Sequence, residues 1–136
     1  EAIESPDEAL TALRDEITEL YARTEHDAAN VEVQHLLVSF TGVPGMIGVT
    51  RSQAEAEQLS ADLMVRIQGG EDFDALVKEY TDDSHPGIYP MSKSSRSQMV
   101  AAFGDVAWRL EVNEVGVAPF HSRESPYGWH IIQRRK

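Results

Sequence analysis

The ten residues Val31–Phe40 read VEVQHLLVSF, and they decide what kind of fold the rest of the chain must build. The run is rich in Val, Leu and Phe and alternates in part, as expected of a strand buried on one face and half-buried on the other. His35 shares its face with Val33 and Leu37, because successive side chains alternate across a strand. The end of the chain repeats the theme: in GWHIIQRR, Gly128–Arg135, His130 points away from Trp129 and Ile131 and shares its face with Ile132. If the two strands are neighbours, the two imidazoles meet and can form a polar relay with a hydroxyl. If they are not, each reads as a hydrogen-bonded core residue.

Helical patterns flank and separate these strands. In SPDEALTALRDEITELYARTEHD, Ser5 and Glu8 have capping-box spacing, Pro6 suits the first helical position, and Leu10, Leu13, Ile17 and Leu20 form a narrow apolar seam. A seam of this kind packs on its own domain or on a partner protein, and its acidic polar face argues against a membrane surface. After the loop TGVPGMIGVTR, Ser52 and Glu55 repeat the capping-box spacing, and Ala56, Leu59, Leu63 and Ile67 mark a second helix that Gly69 and Gly70 stop. EDFDALVKEY predicts a shorter helix capped by Asp72. Thr81–Ser97 reads as a long surface loop with a short strand near Ile88–Met91, and Met99 and Phe103 stand at i and i+4 in one or two helical turns. VGVAPFHS and GWHIIQRR then form a closing hairpin. Helices gathered between a first strand and a closing hairpin imply an α+β fold with a mostly antiparallel sheet.

Composition narrows the function classes. Twelve basic residues against twenty-three acidic ones leave a net charge of −11, which repels nucleic-acid phosphates and anionic membranes. The absence of cysteine excludes disulfides, thiolate nucleophiles and thiolate metal sites. No apolar run approaches the roughly 18–20 residues of a membrane helix, so no membrane insertion is expected of this segment. The chain begins at Glu1 rather than methionine, which reads as a processed protein or a fragment.

Candidate chemistry is sparse. Asp82, Asp83 and His85 in YTDDSHPG resemble a metal cluster, but the same residues are turn formers, and three ligands within four loop residues do not surround an ion. No metal or cofactor is expected. The serines of SKSSRS lack the strand-to-helix setting that exposes a nucleophile, and there is no phosphate-binding glycine loop.

From about Val31 to Arg135 the chain resembles the parvulin family of peptidyl-prolyl cis/trans isomerases. VQHLLV looks like the family's first strand with its histidine, GGEDFDALVKEYTDDS like its glycine turn, second helix and following loop, and MVAAFGDVAWRLEVNEVGVAPFHS with GWHII like its pocket helix and closing hairpin. The resemblance implies a four-stranded antiparallel sheet surrounded by helices. Residues 1–28 would form an added N-terminal helical extension, and residues 29–136 the isomerase domain. By position it implies that His35 and His130 lie side by side beneath the active site, that Asp83 stands where the family has a cysteine or aspartate, and that Met99 and Phe103 hold the substrate's proline ring. Tyr89 or Met91 would provide a third wall. Ser122 falls where the family often has a threonine bonded to the histidines, but the hairpin is about three residues longer than usual, so Ser125 and Tyr127 compete for that role. Asn113 replaces a turn glycine and tolerates the same left-handed backbone.

The implied activity is rotation about Xaa-Pro bonds in peptides and unfolded proteins. The implied alternative is a catalytically weak, parvulin-like chaperone or binding module. Some relatives select phosphorylated substrates with a basic cluster, whereas TGVPGMIGVTR supplies only Arg51, so no phosphate requirement is expected. Family analogy favours an extracytoplasmic location and leaves the N-terminal helix free to engage a partner.

Overall fold

A strand as apolar as VEVQHLLVSF must be covered on both faces and paired along both edges. The computed structural model, which describes residues 5–136, meets both requirements. The strand runs over Asn30–Val38 (β1). It pairs antiparallel with Ile88–Ser92 (β2) on one edge and with Trp129–Arg134 (β4) on the other, while Val115–Ala118 (β3) pairs with the far edge of β4. The sheet order is therefore β2-β1-β4-β3, fully antiparallel, and the two histidine-bearing strands are its central pair. β3 ends at Ala118, earlier than VGVAPFHS suggests, because Pro119 has no N–H to continue a ladder.

The helices are Pro6–Ala22 (α1), Gln53–Gln68 (α2), Phe73–Tyr80 (α3) and Ala101–Ala107 (α4). Their starts follow the predicted caps. Ser5 Oγ accepts from Glu8 N, Asp72 accepts from Ala75 N, and Ser52 and Glu55 form a complete reciprocal capping box. Gly69 caps the C-terminus of α2. Asn113 adopts φ 73°, the left-handed turn conformation that asparagine tolerates. One expectation needs correction. Met99 is not in the helix with Phe103: it follows a single 3-10 turn, Arg96–Gln98, in extended backbone, and α4 begins only after Val100.

The two sheet faces carry different layers. Leu36, Val38 and Ile131 face a core built with α1, α2 and α3, whereas Val33 and Ile132 face a second core built with Phe103, Val106 and Trp108. α1 contributes Ala9 and Leu13 to the first core and Leu20 to the second. The seam read from the sequence is thus seated on α2 and β3. The first four residues of the N-terminal extension lie outside the described residues. Because Leu13 is only 1% exposed, Leu13→Ala should cost about 2–5 kcal/mol by urea unfolding. A loss well under 1 kcal/mol would mean that α1 is not part of this core in solution.

Candidate active site

Antiparallel register sets the geometry of the histidine pair. Leu37 lies opposite His130 and His35 opposite Ile132, so His35 and His130 are diagonal neighbours on the face that meets α4. Both are 2% exposed, and their Nδ1 atoms are 3.4 Å apart. One Nδ1 must donate to the other. Either Nδ1 can carry that proton, with the other ring accepting. His35 Nε2 lies 3.4 Å from Asp83 Oδ2, facing the carboxylate but outside hydrogen-bond geometry. Both Nε2 atoms are buried without a hydrogen-bond partner among the described residues.

The electrostatics agree with two neutral rings. Burial pushes the His130 imidazolium pKa down to about 3, with the neighbouring His35 adding to the shift. Burial also lowers that of His35, and Asp83 opposes the shift without reversing it. The Tyr89 phenol is raised, first by desolvation and then by Asp83.

Asp83 is placed by a strap that takes over where β2 stops. β2 reaches along β1 only as far as Gln34, so the edge of β1 from His35 to Ser39 needs other partners. His35 N donates to Gly87 O, Leu37 N to Thr81 Oγ1 and Ser39 N to Asp82 Oδ2, while Asp82 N donates to Leu37 O. Residues 81–87 are thereby fixed along the strand. Gly87 is required at this seam: its φ is +64°, and a Cβ there would sit 2.9 Å from His35 O and 3.1 Å from the His35 ring. Asp82, Asp83 and His85 do not converge. Asp82 pairs with Arg51 at 2.5 Å, Asp83 faces His35, and His85 Nε2 meets Asp74 Oδ1 at 2.9 Å.

Above the pair lies a cavity of about 270 Å³ lined by apolar side chains, with Asp83 at its edge. Phe103 stands edge-on to His35 at 4.9 Å and equally close to His130, and Tyr89 lies 5.4 Å from His35. Met99, Phe103 and Tyr89 all line the cavity. Met91 does not: it is 3% exposed in the core, deeper along β2. Ser122 does not join the histidines either. The His121–Ser125 bridge closes a turn that holds Ser122 in solvent. Ser125 is the buried hydroxyl of that segment, and it donates to Pro119 O rather than to an imidazole. Sequence reasoning missed Met46 and Val100 as lining residues and assigned Tyr127 only as a hydroxyl. Met46 lies in an irregular loop, where no periodicity marks an inward side chain.

Among the described residues no group of three His, Asp or Glu is arranged to hold a metal ion, and no helix is long and apolar enough to cross a membrane.

Burying neutral histidines makes stability depend on acid. Both folded-state pKa values lie below that of the unfolded chain, so stability present above pH 6.5 is lost as pH falls, for His130 down to about 3. The limiting slope is about 1.4 kcal/mol per pH unit for each ring. Urea unfolding from pH 8 to 4 should show the decline beginning near pH 6.5, before carboxylates titrate. A flat profile down to pH 5 would contradict neutral burial of the pair.

Known proteins share much of this sequence and its fold. The sequence profile of the "PPIC-type PPIASE domain" matches residues 16–135. The chain is 33% identical over 103 residues to Chaperone SurA of Chromohalobacter salexigens, covering 74% of this chain and 21% of that protein. It is 30% identical over 110 residues to Foldase protein PrsA 1 of Lactobacillus johnsonii, covering 78% of this chain and 30% of that one. It thus spans about a fifth to a third of these curated relatives. Among solved structures it superposes on the peptidyl-prolyl isomerase ESS1 from Candida albicans with a TM-score of 0.66 at 25% identity, covering 96% of this chain and 76% of that one. TbPIN1 shares the fold, with a TM-score of 0.64 at 19% identity over 81% of this chain and all of that one. With the profile spanning nearly the whole chain, the antiparallel sheet order and the histidine pair under an apolar cavity have a common explanation: this chain belongs to the PPIC-type, or parvulin, family of peptidyl-prolyl cis/trans isomerases.

Proposed function

We propose that this domain catalyses rotation about Xaa-Pro bonds in peptides and unfolded protein segments, with no requirement for phosphate. The observation that carries this reading is the apolar cavity of about 270 Å³ over a neutral histidine pair, with a single carboxylate at its edge. Rotation about an amide faces a barrier of roughly 18–20 kcal/mol, and no covalent bond has to be broken. A catalyst needs to hold the ring, exclude water and favour the twisted amide over the planar one.

Each residue has a role in that task. Met99, Phe103 and Tyr89 grip the pyrrolidine, with Leu37, Met46 and Val100 closing the cavity. The planar amide carries partial negative charge on its oxygen through resonance, and the twisted amide carries less. Asp83 beside the carbonyl disfavours the resonance form and so stabilises rotation. His35 and His130 hold the floor and aim Asp83, and their neutrality keeps the cavity dry. Ser122, exposed in its turn, takes no part in this scheme.

The loop after β1 supports substrates without phosphate. Its single cation, Arg51, is already engaged by Asp82 and by Ser39 O, so no free positive charge from that loop awaits a phosphoryl group. We take residues 1–28 as an extension of the isomerase domain; its helix, Pro6–Ala22, packs on α2 and β3. Unfolded clients and an extracytoplasmic setting are proposed from the likeness to proteins named chaperone and foldase.

A protease-coupled isomerisation assay on Xaa-Pro peptides tests the reading. Wild type should exceed the uncatalysed rate, and phosphorylating the residue before proline should lower kcat/KM. A rate equal to the uncatalysed one, with binding to unfolded protein retained, would select the binding-module alternative. Two substitutions separate grip from field. Met99→Ala should raise KM about tenfold, the effect of roughly 1.4 kcal/mol of lost contact. Asp83→Asn should lower kcat at least about tenfold with little change in KM, the signature of an interaction made in the transition state.

A further inference from the structure

The helix that grips the ring is too short to place itself. α4 has seven residues and no side-chain cap, whereas isolated helices below about 12–15 residues are marginal in water. Its position must be imposed from outside. Along one flank the source is the segment that joins α1 to β1. Glu25, which lies between those elements, accepts from Arg96 through both carboxylate oxygens, at 3.0 and 2.9 Å, and from Arg109 Nη1 at 3.1 Å. Arg96 lies just before α4 and Arg109 just after it, so one carboxylate brackets both ends of the helix.

Several contacts make this bracket a built feature. The Arg96 guanidinium lies 4.8 Å from the ring centroid of Trp108, which is fully buried. It occupies the space where a Cβ on residue 104 would lie 2.5 Å from Arg96 Nε, so glycine at that position admits the guanidinium. The same segment is tied to the end of α4 by His26 N donating to Trp108 O, by Trp108 Nε1 donating to Ala28 O, and by Arg109 Nε donating to Arg23 O. Arg96 and Arg109 are each only about one-fifth exposed, and Arg96 holds the Glu25 carboxyl below its ordinary pKa. A charge-assisted, two-pronged and partly desolvated pair of this kind exceeds an ordinary surface ion pair.

We infer that Glu25 is a positioning residue for the proline-binding cavity: through Arg96 and Arg109 it fixes the pitch of α4, so that the segment ahead of β1 sets the affinity of the site for its substrate. Glu25 touches neither the cavity nor the substrate. Its effect passes through Phe103, which faces the histidines, and through Met99 and Val100, which lie between Arg96 and the helix. The inference rests on the proposed isomerase reading for its catalytic consequence, but the coupling itself does not.

The test compares wild type, Glu25→Gln and Glu25→Asp in the complete chain, with two readouts. In peptide isomerisation, Glu25→Gln should raise KM for an Ala-Pro peptide about tenfold, a cost of about 1.4 kcal/mol, with kcat within about twofold. Glu25→Asp should recover most of that loss. In amide hydrogen exchange, residues 101–107 should exchange about tenfold faster in Glu25→Gln, while β1 and β4 keep wild-type protection. Unchanged KM and unchanged α4 exchange would overturn the inference. So would an equal loss of protection throughout the chain, which would mark Glu25 as a general stabilising residue. If wild type shows no isomerase activity, the functional reading fails and the exchange measurement alone decides the coupling.

Discussion

Two imidazoles buried against each other in the middle of a sheet are the constraint that the rest of this structure serves. Burying a polar ring without a partner costs on the order of 1–3 kcal/mol, and burying it charged costs more. His35 and His130 limit that cost by staying neutral and sharing one hydrogen bond between their Nδ1 atoms. The bond exists only if β1 and β4 are adjacent and in their observed register. A slip of either strand by one residue would turn its ring to the face covered by α1, α2 and α3 and part the pair. Central placement of these strands, antiparallel closure by β3, and coverage by α4 are the conditions under which the pair can be both dry and aligned.

The same constraint explains why the Asp83 loop is anchored so heavily. A carboxylate near a buried imidazole acts on it strongly only if its position is fixed. Chain that replaces an edge strand is fixed by the hydrogen bonds that the open edge demands. Thr81, Asp82 and Gly87 satisfy the edge of β1, and Asp83, between them, is left free of backbone duty on that edge to face His35. Arg51 pairs with Asp82 and not with Asp83, so adjacent acids acquire separate tasks: one secures the loop and the other faces His35 at the cavity. The pair DD in the sequence gives no sign of this division.

That limit is general to what could be read from residues alone. Elements whose signal is local were legible: the caps at Ser5, Ser52 and Asp72, the stop at Gly69, the strand VEVQHLLV, and the left-handed turn at Asn113. The resemblance in segment order placed the histidines, Asp83, Met99 and Phe103 near one another before any coordinates. What failed depended on geometry that no short window encodes. Met91 and Tyr89 lie on the same side of β2, two residues apart, and only the depth of the core under α4 separates wall from interior. Ser122 and Ser125 differ in which side of a lengthened turn they occupy, and insertion length does not say where a hairpin absorbs its extra residues. Glu25 lay among the charged residues of a connecting segment, and its partners are 71 and 84 positions away.

The hairpin turn also bears on how the cavity is held. Glu124 O, within the turn that displaces Ser122, accepts from Ala102 N and so satisfies one of the exposed donors at the start of α4. The buried hydroxyl of this turn, on Ser125, donates to Pro119 O, and the turn supports the helix that faces the histidines. Both imidazole Nε2 atoms of the floor lack a hydrogen-bond partner among the described residues, while the Glu124 contact holds the wall. For amide rotation this balance is chemically acceptable. No proton moves in the reaction, so the floor need only stay neutral and dry, whereas the ring must be held while the carbonyl turns against it. Placement of the wall is therefore the more demanding requirement, and it is on α4 that the added turn, the segment after α1 and the buried Trp108 converge.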